Sequence, residues 1–196
     1  MNYIFNMNTN RKITKIDRIL KNMGKKLSSL GVIPIIEESD SKKFQSSGNF
    51  SIRYKEGFLI TGTGVDKCDL KSNSIVFVSN INHRNKTIDF NGKYKPSREV
   101  LIHDAVYSNF PEINVIVHTH DSLILKYGEK LGIPCTKNCI IAANLNESKK
   151  IVNLLKKSEV VNIKEHGQIF IGREVFKVIN KIKVLNKKAL VLNNKE

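Results

Sequence analysis

The segment Asn114-Val115-Ile116-Val117-His118-Thr119-His120 is the part of this chain that most limits what it can become. An apolar run of this length reads as a strand. Side chains alternate along a strand, so His118 and His120 project from one face. Two imidazoles converging at a strand end can chelate one metal ion, and a strand-borne His-x-His occurs in metal sites more often than by accident. Glu99 upstream and His166 downstream, in Lys164-Glu165-His166-Gly167, would complete three histidines and one carboxylate, a set suited to zinc or another divalent ion.

A chain of 196 residues with 40% hydrophobic content is long enough for one α/β domain with its own core. Residues 1–10 carry no periodicity and are expected to fray as a flexible N-terminal extension, leaving 11–196 as a single domain. The 33 Lys and Arg against 18 Asp and Glu give a net charge of +15, which favours anionic partners. Lysines are spread from Lys12 to Lys195 without a dominant block. Aromatic residues make up only 7%, tryptophan is absent, and no basic stretch is interleaved with Phe or Tyr. A nucleic-acid-stacking surface is therefore not expected. Cys68, Cys135 and Cys139 are odd in number, and Met1-Asn-Tyr-Ile-Phe-Asn does not resemble a leader, so the expectation is a cytoplasmic protein with buried or half-buried thiols. Cysteine-based zinc sites usually need a second pair, which is missing here. No apolar run reaches the ~18 residues of a membrane-spanning helix.

Ile13, Ile16, Ile19, Leu20, Met23, Leu27 and Leu30 recur at helical spacing until Gly31, predicting an amphipathic first helix. Short β-like runs follow at Phe50–Tyr54, Gly57–Thr61, Ile75–Ser79 and Thr87–Phe90, punctuated by turn residues, as in an antiparallel meander. After Pro96-Ser97, a helix runs to near Asn109 with Glu99 in its first turn. Beyond the His118 strand the pattern predicts helices over Asp121–Leu131 and Asn146–Lys157, strands over Val160–Ile163 and Gln168–Ile171, and a last helix from about Glu174. The fold class expected is α/β, a layered α-β-α arrangement with a central, mainly antiparallel sheet.

Ser46-Ser47-Gly48-Asn49 and Thr61-Gly62-Thr63-Gly64 offer hydroxyls, an amide and backbone N–H groups to a dianion. Each alone is an ordinary turn. Ser97 adds a hydroxyl, and Arg98 could form a charge-assisted bond to phosphate or equally stand exposed in the first turn of the helix. His83, beside Arg84 in a polar turn, reads as a surface residue. His103, four residues beyond Glu99 on the same helical face, reads as packing against or supporting that carboxylate rather than binding metal.

The ordered series Ser47-Gly48-Asn49-Phe50-Ser51, Leu59-Ile60-Thr61-Gly62-Thr63-Gly64, Pro96-Ser97-Arg98-Glu99, Val117-His118-Thr119-His120 and Glu165-His166-Gly167 resembles the class II aldolase/adducin family, over nearly the whole chain. The resemblance implies zinc on His118, His120 and His166, with Glu99 as a ligand or the catalytic acid/base. It implies a sugar-phosphate pocket formed by Ser47, Gly48, Asn49, Thr63, Gly64, Ser97 and Arg98. It further implies cleavage of a ketose 1-phosphate to dihydroxyacetone phosphate and an aldehyde through a zinc-stabilised enediolate. Dehydration of a methylthioribulose-1-phosphate type of substrate and 4-epimerisation of ribulose 5-phosphate are the alternatives on the same site. A homotetramer with active sites at subunit borders is implied as well. Adducin-like relatives without catalysis usually lose the metal ligands, which this chain retains. Three departures stand out: Cys135 follows Ile133-Pro134 where fuculose-phosphate aldolases usually offer a tyrosine, the segment before His166 is short, and Arg98 replaces a small polar residue.

Overall fold

The computed structural model describes residues 3–9, 12–37, 44–140 and 144–196. Ten strands occur among them: β1 (Ile4–Asn8), β2 (Ile35–Glu37), β3 (Phe44–Ser46), β4 (Asn49–Tyr54), β5 (Gly57–Thr61), β6 (Ile75–Asn82), β7 (Thr87–Asn91), β8 (Val115–Thr119), β9 (Val160–Ile163) and β10 (Gly167–Gly172). Eight form one sheet in the order β1-β7-β6-β5-β4-β8-β10-β9, and β2 and β3 make a separate hairpin. Every neighbouring pair in the large sheet is antiparallel except β1 with β7. Short turns join β4 to β5 and β6 to β7, whereas the longer segment 62–74 links β5 to β6.

Five α-helices cover the sheet: α1 (Lys15–Ser29), α2 (Val100–Asn109), α3 (Ser122–Lys126), α4 (Leu145–Leu155) and α5 (Val175–Asn193). Strand alternation sorts the core into two layers. Phe50, Ile52, Val115, Val117 and Phe170 pack with Leu20, Met23 and Leu27 of α1, Ile124 of α3 and Ile182 of α5. The opposite set, Ile60, Val76, Ile116, Ile169 and Ile171, packs with Ile102 and Val106 of α2 and Ile151 of α4. The architecture is α/β, three-layered, with a mainly antiparallel sheet in the middle.

Helix ends follow local chemistry. Thr14 and Asp17 form a capping box at α1, and Asn144 and Glu147 form another at α4. Ile13 and Ile19 nevertheless lie exposed, so the apolar stripe of α1 is narrower than its sequence suggests.

Three expectations change. Ile4–Asn8 is not a fraying extension but edge strand β1, hydrogen-bonded in parallel register to Thr87–Asn91. The helix expected over Asp121–Leu131 stops at Lys126. Beyond it the chain turns, and Gly128 lies where a Cβ would stand 2.0 Å from Asn162 Nδ2. Cys135 is exposed, whereas Cys68 and Cys139 are half-buried, and all three are free thiols. Among the described residues no helix is long and apolar enough to cross a membrane.

Candidate metal and acid–base site

His118 lies on β8 between Asn49 of β4 and Ile169 of β10. It shares the face of Ile116, beneath α2 and α4, and is fully buried. His120 follows two residues later on the same side, as the period of two requires. His166 arrives from the turn joining β9 to β10, in which Glu165 takes a left-handed φ of 57°. The three rings form a nearly equilateral triangle, with centroids 4.7, 4.8 and 4.9 Å apart. Their candidate ligand nitrogens all fall within 4.8 Å of one another.

Backbone carbonyls aim two of these rings. His118 Nδ1 donates to the Gln168 carbonyl at 3.0 Å, and His166 Nδ1 donates to the Ile140 carbonyl at 2.5 Å. A carbonyl only accepts, so each Nδ1 carries a proton, which leaves Nε2 as the atom of each ring that can reach a metal. The Nε2 atoms of His118 and His120 are 2.9 Å apart. Tetrahedral zinc with bonds of ~2.0–2.1 Å would place its nitrogens about 3.3 Å apart, so the set fits such an ion with a small relaxation. Burial, reinforced by neighbouring positive charge, pushes His118 and His120 down to about 3, so both imidazoles are neutral, the form that binds metal.

Glycine is required beside this cluster. Gly48 has φ 70°, and a Cβ there would lie 2.4 Å from the His118 carbonyl oxygen. A Cβ at Gly167 would lie 2.1 Å from the Thr119 carbonyl.

Glu99 stands at the start of α2, buried, but outside the histidine group. Rather than capping the helix, its Oε2 accepts from Asn49 Nδ2 and Ser97 Oγ, both at 2.8 Å. Behind it runs a ladder between β4 and α2. His103 joins Asn49 Oδ1 through Nε2 and Ser51 Oγ through Nδ1, each at 2.6 Å, and Ser51 Oγ meets Tyr107 Oη at 2.8 Å. Arg53 closes the row, with its guanidinium 4.6 Å from the Tyr107 ring centroid and Nη2 donating to the Tyr107 carbonyl at 2.9 Å. The geometry has a simple origin: two strand residues advance about 6.7 Å and four helix residues about 6.0 Å. Asn49, Ser51 and Arg53 therefore keep step with Glu99, His103 and Tyr107. One consistent proton arrangement directs Tyr107 to Ser51, Ser51 to His103, His103 to Asn49 and Asn49 to the carboxylate.

The residues expected to hold phosphate gather only in part. The Thr61–Gly64 loop lies along 95–97, with Thr63 N–H donating to the Lys95 carbonyl and Ser97 N–H to the Thr61 carbonyl. Thr63 Oγ1, however, donates to the Pro96 carbonyl, and the Ser97 hydroxyl and Asn49 amide serve Glu99. Gly64, with φ 68°, is exposed. Ser47 Oγ is buried and has no hydrogen-bond partner among the described residues. Arg98 points into solvent and has no ion pair among the described residues. It lies between two inward-facing residues, Ser97 and Glu99. Sequence reasoning missed Lys67, which is buried with its Nζ 2.5 Å from the Ser46 carbonyl. It also missed Gln168, which ties Thr119 Oγ1 and the Asp121 backbone to β10.

Residues 44–192 match the model of the class II aldolase and adducin N-terminal domain. The chain belongs to the class II aldolase and adducin family. Within that family it is 30% identical to the L-fuculose phosphate aldolase of Haemophilus influenzae over 154 residues, covering 68% of this chain and 66% of that protein. It is 35% identical over 75 residues to the 5-methylthioribulose-1-phosphate/5-deoxyribulose-1-phosphate aldolase of Rhodospirillum rubrum, covering 38% of this chain and 31% of the relative. About a third or more of each relative's own length thus lies outside the match. In fold, the class II aldolase domain here superposes on the crystal structure of L-fuculose-1-phosphate aldolase from Thermus thermophilus with a TM-score of 0.70 at 19% identity, covering 93% and 96% of the two chains.

Proposed function

We propose that this protein is a metal-dependent lyase that cleaves a ketose 1-phosphate to dihydroxyacetone phosphate and an aldehyde. One observation carries the reading: three imidazoles converge on a common point beside a buried carboxylate held by two donors. His118, His120 and His166 would hold zinc or another divalent ion. When bound, such an ion supplies Lewis acidity toward the substrate's carbonyl and hydroxyl oxygens. Glu99, standing apart from the ligand triangle, is the acid/base that moves a proton at the carbon next to the carbonyl. Asn49 and Ser97 fix the direction of its carboxylate. Ser47, the 61–64 loop and the start of α2 form the end of the pocket that takes the phosphate.

Aldehyde release, water loss and stereochemical inversion, assayed separately on fuculose, methylthioribulose and ribulose phosphates, test this reading. We expect metal-dependent aldehyde release from a ketose 1-phosphate, lowered roughly 10²–10⁴-fold in Glu99→Gln. Water loss alone would replace the aldolase by a dehydratase. That second reading draws on Cys135, which stands where a phenol would assist an aldolase and lies exposed. No reaction by metal-loaded protein on any of the three sugars would overturn both.

The assembly proposed is a homotetramer with sites at subunit borders. Phe176, Val184, Leu190 and Val191 of α5 are exposed apolar side chains available for such contacts. Three free thiols fit a reducing, cytoplasmic setting.

A further inference from the structure

We propose that Lys67 supplies the cation that grips the substrate's phosphate. The proposal rests on the phosphosugar reading above and adds to it a residue that no motif marked. Lys67 is 5% exposed, in the segment that leaves the Thr61–Gly64 loop. Its ammonium donates to the carbonyls of Ser46 at 2.5 Å and Val65 at 3.3 Å, and its backbone N–H donates to Ser46 Oγ at 2.7 Å. An ammonium has three donors, so one remains. No carboxylate pairs with it among the described residues, and a buried charge without a counter-ion is unfavourable in a folded interior.

Ser47, adjacent to the carbonyl that Lys67 holds, buries a hydroxyl with no partner among the described residues. A spare ammonium N–H and a spare O–H on neighbouring residues complement the oxygens of a phosphate group, which accepts several charge-assisted bonds at once. Ser46, which Lys67 holds, lies three residues before Asn49, and Asn49 pairs with His118 across the sheet and donates to Glu99, so the lysine stands at the head of the strand that carries the site. Burial pushes its ammonium down to about 8, and an incoming dianion would favour the charged form. Arg98, the cation beside Ser97, faces solvent instead. The inward position belongs to Lys67.

Calorimetric titration of inorganic phosphate into wild-type protein, Lys67→Met, Lys67→Arg, Ser47→Ala and Arg98→Gln tests the assignment, with thermal melting and bound-metal content checked for each. The expected result is phosphate affinity lowered about tenfold or more in Lys67→Met, largely retained in Lys67→Arg, and changed less than about twofold in Arg98→Gln. Lys67→Gln carries the same expectation if Lys67→Met does not fold. Wild-type affinity in folded Lys67→Met, with weakened binding in Ser47→Ala, would overturn the role of Lys67 while leaving the pocket in place. Failure of wild-type protein to bind phosphate at tens of millimolar would overturn the phosphosugar reading as well.

Discussion

The two halves of the candidate site are held by different means. In the histidine half, backbone carbonyls of Gln168 and Ile140 aim the rings of His118 and His166. In the Glu99 half, side chains do the aiming, through Asn49, Ser97, His103, Ser51 and Tyr107. A carbonyl survives almost any substitution of its own residue, whereas a side-chain relay fails at any member. The histidine half should therefore depend on the histidines themselves and little else, and the Glu99 half also on His103, Ser51 and Tyr107, which stand behind the carboxylate.

The largest expected effect separates the halves outright. His118→Ala removes one of the three proposed ligands, and metal affinity should fall by more than the roughly 10–100-fold typical of changes around a metal site's ligands. Glu99→Gln should retain its metal. Metal content by atomic spectroscopy after dialysis decides the matter. Equal loss in the two variants would move Glu99 into the ligand set and erase the division.

His103 is the next test. His103→Ala leaves Asn49 Oδ1 and Ser51 Oγ short of a buried partner, at a cost of about 1–3 kcal/mol in stability. Metal content should be unchanged while turnover falls, and His103→Gln should recover part of it by restoring a donor to Asn49. The pH dependence has a definite sign. Burial, aided by the nearby His118, pushes His103 from its ordinary 6.5 down to about 3. Between those values the unfolded chain binds a proton that the folded one refuses, so this contribution is fully present above 6.5 and is lost as pH falls toward 3. Urea unfolding of wild-type and His103→Ala protein at pH 7, 5.5 and 4.5 reads it. The wild type should lose more stability on acidification, by up to about 1.4 kcal/mol per pH unit. Parallel losses would show that His103 does not resist protonation in the fold.

This contrast also explains what the sequence disclosed. The His-x-His pair was legible because strand period alone places both rings, and the hairpins of β4 to β7 were legible because turn residues separate their apolar runs. Glu99 and His103 were visible as an i, i+4 pair, but their link through Asn49 needed the register of β4 against α2. Edge strand β1 has exposed residues at most of its positions and pairs with a strand about 80 residues away, so no local pattern announced it. Lys67 is one cation in a chain with 33 Lys and Arg, and only burial distinguishes it. The close approach of Gly128 to Asn162, just past the end of α3, is likewise a contact between distant segments.

The smallest expected effect lies where the histidine half looks most vulnerable. Glu165 precedes His166 and holds φ 57°, a conformation that costs a residue with a Cβ roughly 1–2 kcal/mol. Its side chain is exposed, and its pairing with Lys164 at 3.9 Å is a solvent contact of little consequence. Glu165→Gly would relieve the strain while enlarging the freedom of the unfolded chain, and these oppose each other to within about 1 kcal/mol. His166 should keep its place, because its backbone N–H donates to the Ile163 carbonyl and its ring to the Ile140 carbonyl, neither of which involves Glu165. Metal affinity within about twofold of wild type, measured by competition with a chelator, is therefore expected when the aiming groups are all retained. A tenfold loss would mean that the turn's side chain, and not the carbonyl framework, holds the third imidazole in position.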